Sequence, residues 1–285
     1  MARWIAFVAL AVAAAAATPK FEVASIRPCE AGASAPAGGG RSENLEDSSL
    51  GTYNSGCQTV KNHILMAYAG YADGRAHPPP LAPIEGGPGW IDSVRYRIVA
   101  KPEGGPSFGM MKGPMMQALL EDRFHLKIRR ETREVPAFAL TVAKNGVKLK
   151  PFQQGSCVDI GVVAPLTKAP PHAEPGQMPI LCGVNSAARN PPNVTWDLRG
   201  TTLDFFAKTL LSTAADRPVL NQTGLTGLFD IHLEFAPETA APADDPAGGP
   251  SIFTAVQEQL GLKLEPSKAP KEFLVIESVE RPSEN

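Results

Sequence analysis

Hydrophobic residues recur with two different spacings along the chain, and together they predict a mixture of short helices and strands. Between residues 60 and 68 the spacing is helical, whereas residues 228–235 alternate between apolar and polar positions as a strand does. Residues 21–28 alternate in the same way, and the strand that they predict stops at Pro28. Because hairpin-like pairs of strands occur among the helices, we expect an α+β fold in which helices cover one face of each sheet.

One pattern occurs twice. Residues 115–143 read as a helix, a strand, a turn and a second strand, and residues 251–279 repeat this order. A pattern that is used twice indicates a duplicated unit. We therefore expect two related tandem units, each a small mixed or antiparallel sheet packed against two helices. The matching positions are Leu126 with Leu262, Lys127 with Lys263, and Pro136 with Pro270.

The start of the chain has the composition of a secretory signal peptide. Residues 1–18 contain a basic Arg3, an apolar run and small residues before a cleavage point. The run is shorter than the roughly 20 apolar residues that span a bilayer, so we expect cleavage and no remaining membrane span. The mature protein is then periplasmic or secreted. Its first unit is predicted at 19–145 and its second at 193–285, with a Pro-rich linker at 146–192.

Export to an oxidising compartment makes disulfides the expected state of the cysteines. Three pairings of four cysteines are possible, and we favour the one in which each bond closes a loop-rich stretch of about 25 residues, worth about 3 kcal/mol in the chain-entropy model. The cysteines lack the short spacing of a zinc knuckle, so no metal is expected. The favoured pairs are Cys29 with Cys57 and Cys157 with Cys182.

The charge pattern bears on the kind of partner. The formal net charge is −2, and both signs are interspersed without a basic stripe that carries aromatic residues. Nucleic acid is therefore not an expected partner. No cofactor is expected either.

Two short motifs resemble catalytic signatures. Gly105-Pro-Ser-Phe-Gly109 matches the G-x-S-x-G of serine hydrolases, in which Ser107 would be the nucleophile. The second half repeats Gly-Gly-Pro-Ser at residues 248–251 before its own helix, which favours a helix N-cap over a nucleophile. His232-Leu-Glu234 imitates the H-x-E of zinc deaminases, but the Pro-Cys-x-x-Cys of that motif is missing, so both side chains are expected in solvent.

Three large aromatic residues lie near the Gly- and Pro-rich loops. Such residues either close the edge of a core or line a binding groove. We favour the core for all three, and they are the best contact candidates if a groove exists. These residues are Trp90, Tyr96 and Trp196.

A set of segments along the chain carries a family resemblance: residues 21–28, 87–101, 119–127, 133–140, 223–230 and 258–265. They are similar to a secreted family of unknown function that is expanded in Acidobacteria. The similarity extends over nearly the whole mature chain, and some members of that family resemble the outer portion of membrane sensor peptidases. The resemblance implies a sensing or adaptor role.

Each half also resembles the short N-terminal module of secretins and TonB-dependent receptors. The resemblance lies in the order of elements in the second half, and the first half departs from it at the Pro-rich loop of residues 77–88. That module binds proteins or signals in the periplasm. The resemblance therefore implies a binding function.

Taken together, these patterns predict an exported, non-enzymatic binding or interaction protein of the bacterial cell envelope. We expect a protein partner that docks on an exposed sheet edge by strand addition. The alternative is a cell-envelope serine hydrolase that uses Ser107. A third hypothesis is that the loops at residues 70–89 and 155–192 bind a small ligand.

Overall fold

The computed structural model describes residues 20–29, 52–157, 181–183, 186–190, 193–237 and 249–282. Helices and strands mix along these ranges and the strands form three small sheets, so the predicted α+β class is confirmed. The strands are β1 (Phe21–Pro28), β2 (Tyr53–Thr59), β3 (Ile84–Gly86), β4 (Arg95–Pro102), β5 (Lys127–Val142), β6 (Lys150–Pro151), β7 (Ser186–Asn190), β8 (Asn193–Thr201), β9 (Val219–Asn221), β10 (Phe229–Phe235) and β11 (Leu262–Ser278).

The helices are short. Two of them continue as a π-helix, and the described residues contain no helix that is long and apolar enough to cross a membrane. The helices are α1 (Val60–Leu65, continued by Met66–Gly70), α2 (Trp90–Ser93), α3 (Phe108–Lys112), α4 (Pro114–Arg123), α5 (Leu203–Phe205, continued by Phe206–Leu211), α6 (Ser212–Ala214) and α7 (Ile252–Leu260). The predicted signal peptide, residues 1–18, lies outside the described residues.

By its internal contacts the chain divides into two compact units. The first comprises residues 1–77, 83–130 and 274–285, and the second comprises residues 78–82 and 131–273. Each unit therefore contains chain from both halves of the sequence.

The first unit is built on the antiparallel sheet β1-β4-β2. The central strand β4 alternates, with Tyr96 and Ile98 buried and Arg97 exposed, because only one face of the sheet is covered. Helix α4 supplies buried side chains such as Leu120, and Phe124 just after the helix places its ring edge-on to Tyr96 with the ring centroids 5.5 Å apart. This packing fixes α4 beside the sheet.

The second unit is built on the sheet β6-β10-β8-β7, in which every pair is antiparallel. Trp196 on β8 pairs with Leu233 on β10, and both side chains are buried in the same core as Phe206 and Val256 from the helices. Helices cover one face of this sheet, which explains why apolar and polar residues alternate along β10. Strands β6 and β7 fall in the range that was predicted as a linker.

The third sheet has the order β3-β11-β5-β9 and contains the two long strands. The short strand β3 pairs in parallel with the end of β11, with Ile84 opposite Leu274, whereas β9 pairs in parallel with the end of β5, with Val219 opposite Phe138. The short strand of each half therefore pairs with the closing strand of the other half. A tandem arrangement of two related units is not confirmed, and the boundaries at residues 145 and 193 stay a prediction.

Candidate functional site

Strand β1 is the outer strand of its sheet, so one of its edges has no partner strand among the described residues. The backbone N–H of Cys29 donates to the carbonyl of Arg95 at 2.9 Å, and the register places Arg27 opposite Arg97. Because hydrogen-bonded and non-bonded pairs alternate along antiparallel strands, the N–H and C=O groups of Ala24 and Ile26 point toward the open edge. These groups pair with no other strand among the described residues.

A groove of about 190 Å³ runs between β1 and α4. Its apolar lining includes Ala24 from the strand and Met115, Ala118 and Leu119 from the helix. Four charged residues of both signs form its polar lining: Lys20, Glu22, Asp122 and Arg123. The groove therefore combines an apolar lining with open backbone groups along one side.

Local features hold both walls in place. Strand β1 is tied to β2 by the disulfide of Cys29 with Cys57, and the rings of Phe21 and Tyr53 lie 5.8 Å apart between the same two strands. Helix α4 begins with Pro114, whose fixed φ angle suits the first position of a helix. The edge is thus presented by a fixed strand.

The devices that usually prevent pairing with another chain lie toward the two ends of β1, where a register irregularity falls between Phe21 and Val23 and Pro28 ends the strand. Its side chain at Val23 is 64% exposed, and the strand is eight residues long, so it is neither short nor fully charged. Natural proteins commonly protect edge strands by charge, proline or a covering segment. Here Pro28 stands at the end of the strand, and the stretch before it remains open to pairing.

Ser107 caps a helix. Its side-chain oxygen accepts a hydrogen bond from the backbone N–H of Met110 at 3.3 Å at the start of α3, and Ser251 accepts one from Thr254 at 3.2 Å at the start of α7. The prediction of an N-cap in both halves is therefore confirmed. Ser107 therefore has a structural role, since its oxygen accepts a hydrogen bond from an N–H group of the first helical turn that would otherwise lack a partner.

We expect Ser107→Ala to lower the free energy of unfolding by about 1 kcal/mol, because the change removes a cap acceptor. Ser107→Asp is the matched control, since it keeps an oxygen acceptor and should be close to the wild type. Denaturation in urea measures both changes. Fluorophosphonate should label neither the wild type nor the variants, and labelling of the wild type that is lost in Ser107→Ala would establish the hydrolase alternative.

The three aromatic contact candidates lie at different depths. Tyr96 and Trp196 are 6% and 8% exposed and pack edge-on against other rings, so neither side chain lines an open groove. Trp90 is partly exposed, and the guanidinium of Arg281 lies 5.3 Å from its ring centroid. Tyr96 and Trp196 are therefore core residues, and the Arg281 guanidinium covers part of the Trp90 ring.

Both predicted disulfides are present. Cys29 is bonded to Cys57 and Cys157 to Cys182, with sequence separations of 28 and 25 residues. These are the pairs that close the loop-rich stretches. The described residues contain no free cysteine.

The two polar side chains of the remaining histidine motif contact other residues of the second unit. His232 is exposed and its Nδ1 lies 2.6 Å from the Asp197 carboxylate, while Glu234 accepts a hydrogen bond from Asn193. No group of three or more potential ligands that could hold a metal occurs in the described part of the chain. The exposure of both side chains follows from the alternation of β10.

These features define an α+β protein with two disulfides and a candidate binding site at a strand edge beside a helix. The chain belongs to the DUF3738 family, described as a protein of unknown function, whose model matches residues 75–279. No curated protein and no solved structure matches the chain. The family match includes α4, whereas β1 precedes it. The resemblances to an Acidobacteria-expanded family and to the secretin module stay predictions.

Proposed function

We propose that the protein is an exported binding module that takes up an extended segment of a protein partner along the open edge of β1. One observation carries the proposal: the outward N–H and C=O groups of Ala24 and Ile26 lie beside a groove with an apolar lining. An edge strand with a neighbouring groove suits strand addition, in which main-chain hydrogen bonds supply affinity and a side-chain pocket supplies specificity.

The groove favours a particular partner segment. Its volume of about 190 Å³ and its lining by Ala24, Ala118 and Leu119 suit a single small or medium apolar side chain. In an extended segment every second side chain points to the same face, so one apolar residue enters the groove while its neighbours face away. The mixed charges of the lining favour a partner with polar residues on both sides of that apolar position.

The proposal also includes export of the protein and an origin of its two halves by duplication. The two disulfides support a location outside the cytoplasm. The repeated motifs at Leu126 and Leu262 support an origin of the two halves from one unit. The likeness to periplasmic secretin modules supports a partner in the cell envelope.

We expect Ala24→Pro to abolish the binding of extended peptides while leaving the fold intact. The proline removes an N–H group that points away from β4, so no hydrogen bond within the sheet is lost, and proline is tolerated on the open side of edge strands. Linear peptides displayed on phage and selected on the full mature protein supply the probe. Bound peptides should protect the Ala24 and Ile26 amides from hydrogen exchange.

Ala24→Ser is the matched control, because it keeps the N–H group and a small side chain and should retain binding. Ala118→Trp fills the groove from the helix side and should weaken the same peptides. If the selected peptides bound Ala24→Pro as tightly as the wild type, or protected amides elsewhere only, strand addition at β1 would be wrong.

A further inference from the structure

The second unit contains a charged cavity of about 410 Å³ that takes no part in the proposed strand addition. Its apolar surface is formed by Leu149, Ile231 and Leu260. Ile231 and Leu260 are buried core residues, so this surface is fixed by the packing of the unit. Charged side chains surround it: Lys148, Lys150, Arg199, Asp197, Asp230 and His232.

A β-bulge builds one wall of the cavity. Between the pairs of Phe229 with Thr201 and of Ile231 with Leu198, strand β8 has two residues opposite the single residue Asp230. The second of them is Gly200, whose φ of +58° lies in the left-handed region that glycine adopts without strain. The bulge turns the Gly200 N–H to the Asp230 carboxylate at 3.0 Å.

This arrangement holds a guanidinium at the cavity wall. Asp230, with a side chain that is 9% exposed, accepts from Gly200 through one oxygen and faces Arg199 Nη1 at 3.3 Å with the other. Strand β6 places Lys150 directly opposite Asp230 in the antiparallel pair. The Asp230 carboxylate thus holds Arg199, while Lys150 lies beside it through the strand register alone.

The charges of the cavity do not cancel. Three permanent cations stand against two carboxylates, which leaves a net charge of +1 when the imidazole is neutral. Both carboxylates already have partners, because Asp197 is bonded to His232 and Asp230 to Arg199 and Gly200. The ammonium of Lys150 has neither an ion pair nor a hydrogen bond to another residue of the described chain. Lys150 is exposed, so its hydrated ammonium can exchange water for an anionic ligand.

We infer that this cavity binds a small organic carboxylate, with the carboxylate group at Lys150 and Arg199 and the apolar part over Leu149 and Leu260. Guanidinium and ammonium groups bind carboxylates through charge-assisted hydrogen bonds, which are stronger than neutral ones. Cavities of this size with an apolar surface and a few fixed polar groups are typical of small-ligand sites. In this arrangement the carboxylate pairs with the Lys150 ammonium, and the apolar part of the ligand lies against the partly exposed Leu149.

The test is calorimetric titration of the full mature protein with octanoate, with octanol and with inorganic sulfate. Octanoate should bind saturably, and Lys150→Met should weaken it about tenfold, since a charged hydrogen bond is worth about 1.5 kcal/mol or more. The substitution keeps the apolar stem of the lysine. Lys144→Met, at an exposed lysine that does not line the cavity, is the matched control and should leave the affinity unchanged.

Amide chemical shifts of Lys150, Arg199 and Leu260 locate the bound octanoate by nuclear magnetic resonance. The inference is overturned if octanoate fails to bind, if it shifts amides elsewhere only, or if Lys150→Met binds it as tightly as the wild type. It is equally overturned if octanol binds as well as octanoate, which shows an apolar site, or if sulfate does, which shows unselective anion binding.

Discussion

Alanine in place of Gly261 is expected to lower the free energy of unfolding by about 3 kcal/mol. Gly261 ends α7 with a φ of +67°, where a side chain costs about 1 kcal/mol. An added Cβ would also overlap the backbone carbonyl oxygen of Gly146 and come within 2.9 Å of the backbone nitrogen of Lys148. Because backbone atoms cannot rotate away, overpacking adds a further 1–3 kcal/mol. Chemical denaturation of the variant measures the sum.

The first half of the chain supplies a matched comparison. His125 occupies the position that corresponds to Gly261, just before Leu126, and it has a φ of +47°. His125→Gly should therefore raise the free energy of unfolding by under about 1 kcal/mol, because it removes the same strain without creating a clash. Its carbonyl still accepts the Ser278 hydroxyl. Equal effects of the two changes, in size and sign, would refute this explanation.

Acid should destabilise the protein through His63. This side chain is buried in the first unit, and burial lowers its pKa from 6.5 to about 4, against the opposing effect of a hydrogen bond to the Tyr96 carbonyl. Below pH 6.5 the unfolded chain takes up a proton that the folded protein refuses until about pH 4. The free energy of unfolding therefore falls by about 1.4 kcal/mol for each pH unit between 6.5 and 4, about 3 kcal/mol in all. Above pH 6.5 the titration of His63 does not change the stability.

His63→Gln isolates this contribution, because glutamine keeps an N–H donor for the Tyr96 carbonyl and does not titrate. Urea denaturation at several pH values between 6.5 and 4 should show a shallower fall in stability for His63→Gln than for the wild type. Denaturation of both proteins at about pH 7.5, above the window, gives the effect of the substitution apart from titration. A slope that is unchanged by His63→Gln would show that carboxylates alone cause the acid sensitivity.

Features that depend on a few neighbouring residues were predictable from the sequence. The caps at Ser107 and Ser251 need only a serine before a helical turn, and the repeated Gly-Gly-Pro-Ser pointed to them. The alternation of β10 sufficed to expose His232 and bury Leu233. Both predictions follow from side-chain periodicity, which is set by the local backbone.

Pairing between distant strands was not predictable in the same way. β6 has two residues and no alternation to detect, and β3 and β9 have three residues each. β6 pairs with β10, whereas β3 and β9 pair with the long strands β11 and β5, which bring chain from both halves into each unit. Repeated motifs indicate two similar halves, but they carry no signal for which strand each half supplies to the other.

Both candidate sites combine features that are local in the sequence with contacts between residues that lie far apart in it. The class of fold and the strand at residues 21–28 follow from periodicity, which is a property of the chain, and the sequence favoured the cysteine pairs that are present without excluding the others. Tertiary packing was needed to place β1 at an edge beside Ala118 and Lys150 opposite Asp230. Those pairs are separated by roughly 80 to 95 residues, and packing and strand register alone bring them together.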